Sequence, residues 1–368
     1  MKRHALLSLV LIVLLAGPLF AGGEKEGKVE AKSNAMKVAF VYGSAVGDYG
    51  WYWSHDKARK ATEKALNFVT TSYLENVKPG AEAERVLKEL CEEGYSVIVS
   101  ASADYESDVK KVGKDYPNVK FLICAGNTAL EPNIESFYPK TSQVWYLLGQ
   151  IAGFLTKTNT IGMVGSVVTP IDLQIQNAWL RGAQSVNPKV VERILFVNTY
   201  YDPAAEKDAA LSLIDAGVDV IAQATNTPAH VQAAETAGIY AMSQYEDMRQ
   251  FGPKAYVSGE LFSWEKYYIP TLKAIRDGTW KPRYHNPDLT SGIVDLVSLG
   301  SMVTDSMKAV IEKSRQRMLN GEPEFFWEGP IKDNTGALKV KKGEKLSEEQ
   351  LIGMDWWVEG VITAMRGK

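Results

Sequence analysis

The chain has 368 residues, of which 45% are apolar, 23% charged and 10% aromatic, which suits about two globular domains and excludes a disordered or collagen-like chain. Its 41 Lys and Arg against 44 Asp and Glu give a formal net charge of −3 with no basic run, so no nucleic-acid partner is expected. The 4 histidines and 2 cysteines are too few and too scattered for the usual zinc patterns, so neither a metal nor another cofactor is expected.

Lys2 and Arg3 precede an apolar run from Ala5 to Phe20 that ends at Ala21-Gly22-Gly23. These are the three zones of a secretory signal peptide, which places a leader over residues 1–21. Its removal takes away two positive charges and no negative ones, leaving a mildly acidic soluble chain. No cysteine precedes Cys91, so no acylated tether is expected. The expectation is a monomer, periplasmic or secreted. Residues 22–36 mix both charge signs with few apolar side chains and read as a flexible spacer.

From Lys37 onward, short β-branched and aromatic runs alternate with helical patterns, the signature of parallel sheets covered by helices on both faces. The expected strands are 37–42, 67–73, 95–100, 119–125, 160–166, 193–198, 218–224, 239–244 and 255–260. Asp202-Pro203 and Thr227-Pro228 mark helix starts, and Gly94, Gly217 and Gly238 stand where helices end. A helix-like stretch from about Gln143 to Thr158 ends in the polar run TKTNT, which suggests a first crossover between lobes. Lobe 1 is expected at 37–156 plus about 258–300, and lobe 2 at 157–257 plus about 301–368, with a short terminal helix in the tail. Cys91 on a helix and Cys124 on a strand could pair in an exported chain, but sequence does not supply their separation.

Open parallel sheets place ligands at the carboxyl ends of their strands, so a cleft is expected between the lobes. After the first strand, Trp51, Trp53 and His55 crowd the start of a helix behind a glycine-rich loop. Asp104 and Asn127 follow the third and fourth strands, each a ligand contact or a helix cap. In the second lobe Trp179 lies on a helical apolar stripe whose N-cap is expected to be Asp172. Thr225 and Asn226 end one strand, Tyr245 and Asp247 follow the next, and Glu260 and Trp264 mark the last crossover.

Aromatic faces with a few polar groups suit a flat heterocycle, since each stacked ring contributes about 1–3 kcal/mol. Catalysis has no comparable case: the G-x-G-x-x-G, G-x-x-x-x-G-K-[ST] and G-x-S-x-G patterns are all missing, and His55, His230 and His285 show no partner in sequence. The expectation is therefore a non-enzymatic receptor.

The string from Val38 to Leu66, with GDYGW followed by SHDKARKATEKAL, and the later run YDPAAEKDAALSLIDAGVDVIAQATNTPAHVQAAETAGIYAMSQYEDM together resemble the basic membrane protein family of ABC-transporter substrate-binding proteins, also called PnrA-like. The resemblance implies an α/β type I periplasmic binding fold of two parallel-sheet lobes joined by a multi-strand hinge. It also implies capture of a purine nucleoside or nucleobase in the cleft and delivery to a membrane permease with a cytoplasmic ATPase. Aromatics from both lobes sandwich the base in that family, which by position points to Trp51 and Trp179. Members that bind nucleosides contact the sugar with acidic residues and a lysine near the last crossover, where this chain offers Glu260. That departure ranks adenine ahead of a nucleoside, with riboflavin third. An exported sensory module built on the same hinge is the alternative of a different class.

Overall fold

A computed structural model describes residues 35–47, 49–126 and 132–365; the leader lies outside them. The first sheet is built from β1 (Met36–Val41), β2 (Val69–Leu74), β3 (Val97–Ser100), β4 (Lys120–Cys124) and β5 (Ile134–Phe137). Helices α1 (Trp51–Ala65), α2 (Ala81–Glu92) and α3 (Glu106–Asp115) fall between the earlier strands. The chain then continues through α4 (Ser142–Leu155) into a second series: β6 (Thr160–Gly165), α5 (Pro170–Val186), β7 (Val191–Phe196), α6 (Pro203–Asp215), β8 (Val220–Gln223), α7 (Ala229–Ala237), β9 (Tyr240–Ser243) and β10 (Tyr256–Phe262). After α8 (Glu265–Arg276) come β11 (Tyr284–His285), β12 (Val294–Leu296), α9 (Asp305–Leu319), the hairpin of β13 (Ile331–Lys332) and β14 (Leu338–Val340), α10 (Glu348–Ile352) and β15 (Val361–Met365).

The first sheet runs in the order β11-β5-β4-β3-β1-β2, and the second β12-β10-β9-β8-β6-β7-β15. Every pairing within them is parallel except that of β10 with β12. The chain therefore crosses between sheets three times, after β5, after β10 and after β11, the multi-strand hinge of a type I periplasmic binding fold. All nine strands expected from sequence are present. Among those it missed, β5 reads Ile-Glu-Ser-Phe and β11 has two residues.

The structure moves the lobe boundaries. Strands β10 and β12 both lie in the second sheet, although residues from about 258 were expected in lobe 1. Pairing of β10 with β9 continues to Gly259, so the strand cannot change sheets part-way along its length. Helix α4, expected in lobe 1, packs on α5, α9, β10 and β12. The spacer is shorter than expected because Met36 already pairs with Val69. The tail closes on β15, which pairs with β7, so the terminal helix is followed by a strand.

Pleating settles the cysteines. Along β4, Phe121 and Ile123 join Cys91 and helices α2 and α3 on one face, whereas Leu122 and Cys124 pack on the opposite face. Both thiols are free and buried.

Helix α4 is apolar nearly all round, with only Phe154 reaching the surface, as expected for a helix enclosed by others. It meets α5 backbone to backbone. A Cβ on Gly149 would stand 2.0 Å from the Trp179 carbonyl oxygen, and one on Gly182 would stand 2.0 Å from that of Tyr146. Neither obstacle is a flexible side chain. Gly182→Ala should therefore cost about 1–3 kcal/mol by overpacking, read as a lower urea midpoint; an unchanged midpoint would mean that the helices can part without penalty.

Candidate ligand-binding cleft

The carboxyl ends of both sheets open onto one cavity of about 570 Å³. From the first sheet it is lined by Gly43 and Ser44 after β1, Ser102 to Tyr105 after β3, Ala125 and Gly126 after β4, and Tyr138 to Thr141 after β5. From the second come Thr169 to Asp172, Thr199 to Tyr201, Asn226, Gln244 and Tyr245, after β6, β7, β8 and β9 in turn. The tail adds Tyr284, Asn286, Glu324, Glu348 and Leu351 at the rim.

Trp51 opens α1 half-buried in this cleft, held by a 2.6 Å bond from its Nε1 to the Ala101 carbonyl. Its backbone N–H donates to Asn226 Oδ1 across the cleft at 3.3 Å, and Gly50 leaves no room for a side chain against Asn226. Trp264, Phe262, His55 and Tyr245 meet the Trp51 ring edge-on. The indole is thus fixed on several sides before any ligand arrives.

Four residues picked out in sequence line the cleft: Trp51, Asp104, Asn226 and Tyr245. Asn127 lies outside the described residues. The remaining seven are placed elsewhere. Trp179 is 0% exposed, edge-on to Trp145 at 6.2 Å inside the α4–α5 interface. It lies more than two turns along α5 from the end that faces the cleft, so the inward stripe points into the core rather than at a ligand. Trp53 stacks on Tyr49 at 4.7 Å. His55 lies flat on Trp264 at 4.5 Å, and its Nδ1 is 2.6 Å from the Tyr268 hydroxyl; burial alone pushes its pKa down to about 3, so it serves as a neutral core ring. Thr225 donates to buried Glu206, and Asp247 accepts from the Arg249 backbone in a local turn. Glu260 and Trp264 are fully buried behind the wall, Trp264 donating to Ser54 Oγ at 3.0 Å.

Sequence reading passed over Tyr200 and Tyr138, counted Gln244 among the polar residues after β9 that could read a ring edge, and cast Asp172 only as a helix cap. The cap is Thr169, whose Oγ1 accepts from the Asp172 N–H and donates to Asp172 Oδ2 at 2.6 Å. That frees the carboxyl of the third helical residue to line the cleft. Burial pushes its pKa up to about 7, with the hydrogen bonds from Thr169 opposing the rise. Asp172 therefore stands near half-ionised at neutral pH and can accept a hydrogen bond or donate one. Tyr200, at 41% exposure, is an aromatic of the second lobe that lines the cleft, and its place four residues past the end of β7 is the signal that sequence offered.

A family model described as ABC transporter substrate-binding protein, PnrA-like, matches residues 35–324. A purine-binding protein of Brucella abortus is 38% identical over 89% of this chain and 93% of its own. A Haloferax volcanii protein, named as a candidate ABC-transporter glucose-binding protein, is 32% identical over 92% of this chain and 82% of its own. Among solved structures, an ABC-transporter solute-binding protein of Conexibacter woesei aligns with a TM-score of 0.67 at 22% identity, covering 78% of this chain and 97% of the other. Among the described residues no group of acidic, histidine or cysteine side chains could hold a metal ion.

The raised pKa of Asp172 carries a stability cost with a definite sign. Its folded value of about 7 lies above the reference 3.8. The carboxyl is therefore neutral and harmless below about pH 4, and it increasingly favours the unfolded chain as pH rises toward 7, above which the cost is constant. Asp172→Asn should raise the melting temperature of the ligand-free protein at pH 8, by the equivalent of about 1–3 kcal/mol, and much less at pH 4. Equal shifts at both pH values would show that the carboxyl is not buried at a cost.

Proposed function

Since the chain belongs to the PnrA-like family of ABC-transporter substrate-binding proteins, we propose that its two lobes close on a purine base, adenine ahead of a purine nucleoside, and hand it to the cognate permease. As a family of solute-binding proteins it carries cargo and performs no reaction. The observation that carries the ligand reading is the cleft wall: Trp51 from the first lobe and Tyr200 from the second line one cavity, with Asp172 and Gln244 beside them. Tyr200 takes the place expected for Trp179. Tyr245 is a poorer second plate because its ring already stacks on Phe262 and meets Trp51 edge-on.

The polar edge of the ring would be read by Asp172, which lines the cleft, whereas Glu260 is fully buried behind it. A carboxyl that can both accept and donate suits a purine edge, where a ring nitrogen that accepts sits beside an exocyclic group. The purine-binding Brucella relative supports the same class. Closure of the hinge around the ligand would create the surface that the permease recognises. The proposed place of action is outside the cytoplasmic membrane, reached with residues 1–21 as the leader.

Titration calorimetry with adenine tests this reading. Trp51→Ala and Tyr200→Ala should each weaken binding by about 1–3 kcal/mol, roughly 5- to 150-fold. Trp179→Ala should instead lower stability by about 3–5 kcal/mol as a buried aromatic is lost, with the folded fraction keeping its affinity. Glucose, the ligand named for the Haloferax relative, should show no binding. Adenine affinity unchanged in both cleft variants, or glucose bound in place of adenine, would overturn the purine reading.

A further inference from the structure

Asn226, in the loop after β8, is hydrogen-bonded to the backbone of both aromatic plates. Its N–H donates to the Tyr200 carbonyl at 2.9 Å, and its side-chain Oδ1 accepts from the Trp51 N–H at 3.3 Å. A backbone N–H can only donate, so the atom that faces Trp51 is the amide oxygen. Trp51 opens α1, and the N-cap of that helix is Gly50, which has no side chain to take up a helix N–H. The acceptor comes instead from the other lobe. Gly50 also permits the approach, since a Cβ there would stand 2.5 Å from the Asn226 Cβ. Asn226 is in turn held from behind. Its chain neighbours Thr225 and Thr227 both donate through their hydroxyls to Glu206 Oε2, at 2.7 and 2.6 Å, while Glu206 Oε1 accepts from the Asp202 N–H at 3.1 Å. Glu206 is 1% exposed. One buried carboxyl thus ties the loop that bears Tyr200 to the loop that bears Asn226.

We propose that Asn226 is a positioning residue that sets the gap between the Trp51 and Tyr200 plates, and that this gap selects a single flat ring. The inference rests on the purine reading and deepens it. Trp51 is fixed within its own lobe by the bond to Ala101 and by the rings that meet it edge-on. Tyr200 belongs to the second lobe and is 41% exposed, so its separation from Trp51 depends on what spans the cleft. Asn226 spans it with one hydrogen bond to each plate, and Glu206 keeps the span from shifting. Stacking is sensitive to that width, because a gap of about 0.5–1 Å between surfaces forfeits roughly a quarter to a half of their attraction. A loosened Asn226 therefore weakens the hold on a ring that it does not itself read. The role needs only an acceptor at position 226. A carboxylate would serve as well, and the positive end of α1 favours one. Direct reading of the ligand by the Asn226 NH₂ requires the reverse, since a carboxylate has no hydrogen to give.

Titration calorimetry with adenine on the full chain tests the proposal. Asn226→Ala should weaken binding about 3- to 10-fold, the loss of one hydrogen bond, whereas Asn226→Asp should stay within about twofold of wild type. In a Tyr200→Ala background the Asn226→Ala change should add less than about twofold, because a gap that lacks one wall has no width to set. A structural role alone would lower the melting temperature and leave the affinity of the folded protein where it was. Gly50→Ala breaks the same contact from the first lobe, should weaken binding by a similar factor, and serves as the readout should Asn226→Ala fail to fold. Three results overturn the positioning role while the purine reading stands: affinity unchanged in the folded Ala variant, Asn226→Asp as weak as Asn226→Ala, or the full loss persisting in the Tyr200→Ala background. If wild type does not bind adenine, both fall.

Discussion

Both parallel sheets end their strands at the same gap, and the chain crossings after β5 and β11 help to line it. In a parallel sheet every strand delivers its following loop to the same edge. Two such sheets, set with those edges facing, surround a cavity with loops from both sides. Here the loops after β1, β3, β4 and β5 face those after β6, β7, β8 and β9. The ligand site follows from this arrangement before any side chain is specified, and side chains then decide what it takes.

The contact between α4 and α5 holds the second lobe firm enough for that purpose. Three glycines let the helix backbones touch, and Trp145 and Trp179 fill the space beside them. Trp145 in turn donates to Glu260 behind the cleft wall. On the other side, His55, Phe262 and Trp264 stack behind Trp51. The residues that face the cavity are thus backed by rigid, fully buried rings from the crossover after β10. A ligand meets a surface already ordered, so little rotamer entropy remains to be lost on binding.

Much of this was legible in the chain itself. Apolar runs, three of them preceded by the helix-ending Gly94, Gly217 and Gly238, marked the nine main strands, because strands buried on both faces need no alternation. Trp51 could be placed in the cleft because it immediately follows a strand and a glycine-rich loop. Trp179 could not be placed, since an apolar stripe on a helix shows which face is buried and leaves open against what. Asp172 looked like a cap because Asp caps many helices; Thr169, three residues earlier, wins the position because its hydroxyl reaches the Asp172 N–H. Glu260 is expected at the crossover, but β10 stays in its sheet through Phe262, which keeps the carboxyl behind the wall. Lobe boundaries slipped for a similar reason, as pairing partners far apart in sequence decide which sheet a strand joins.

The central claim is that a planar ring lies between Trp51 and Tyr200, with its edge toward Asp172 and Gln244. A crystal structure of the protein grown with adenine tests it most directly. The ring is expected parallel to both aromatic faces within the interlobe cavity, with one nitrogen in hydrogen-bonding distance of the Asp172 carboxyl. Adenine bound at another surface, or a cleft that closes with Trp51 and Tyr200 in contact and no room for a ring, would contradict the claim.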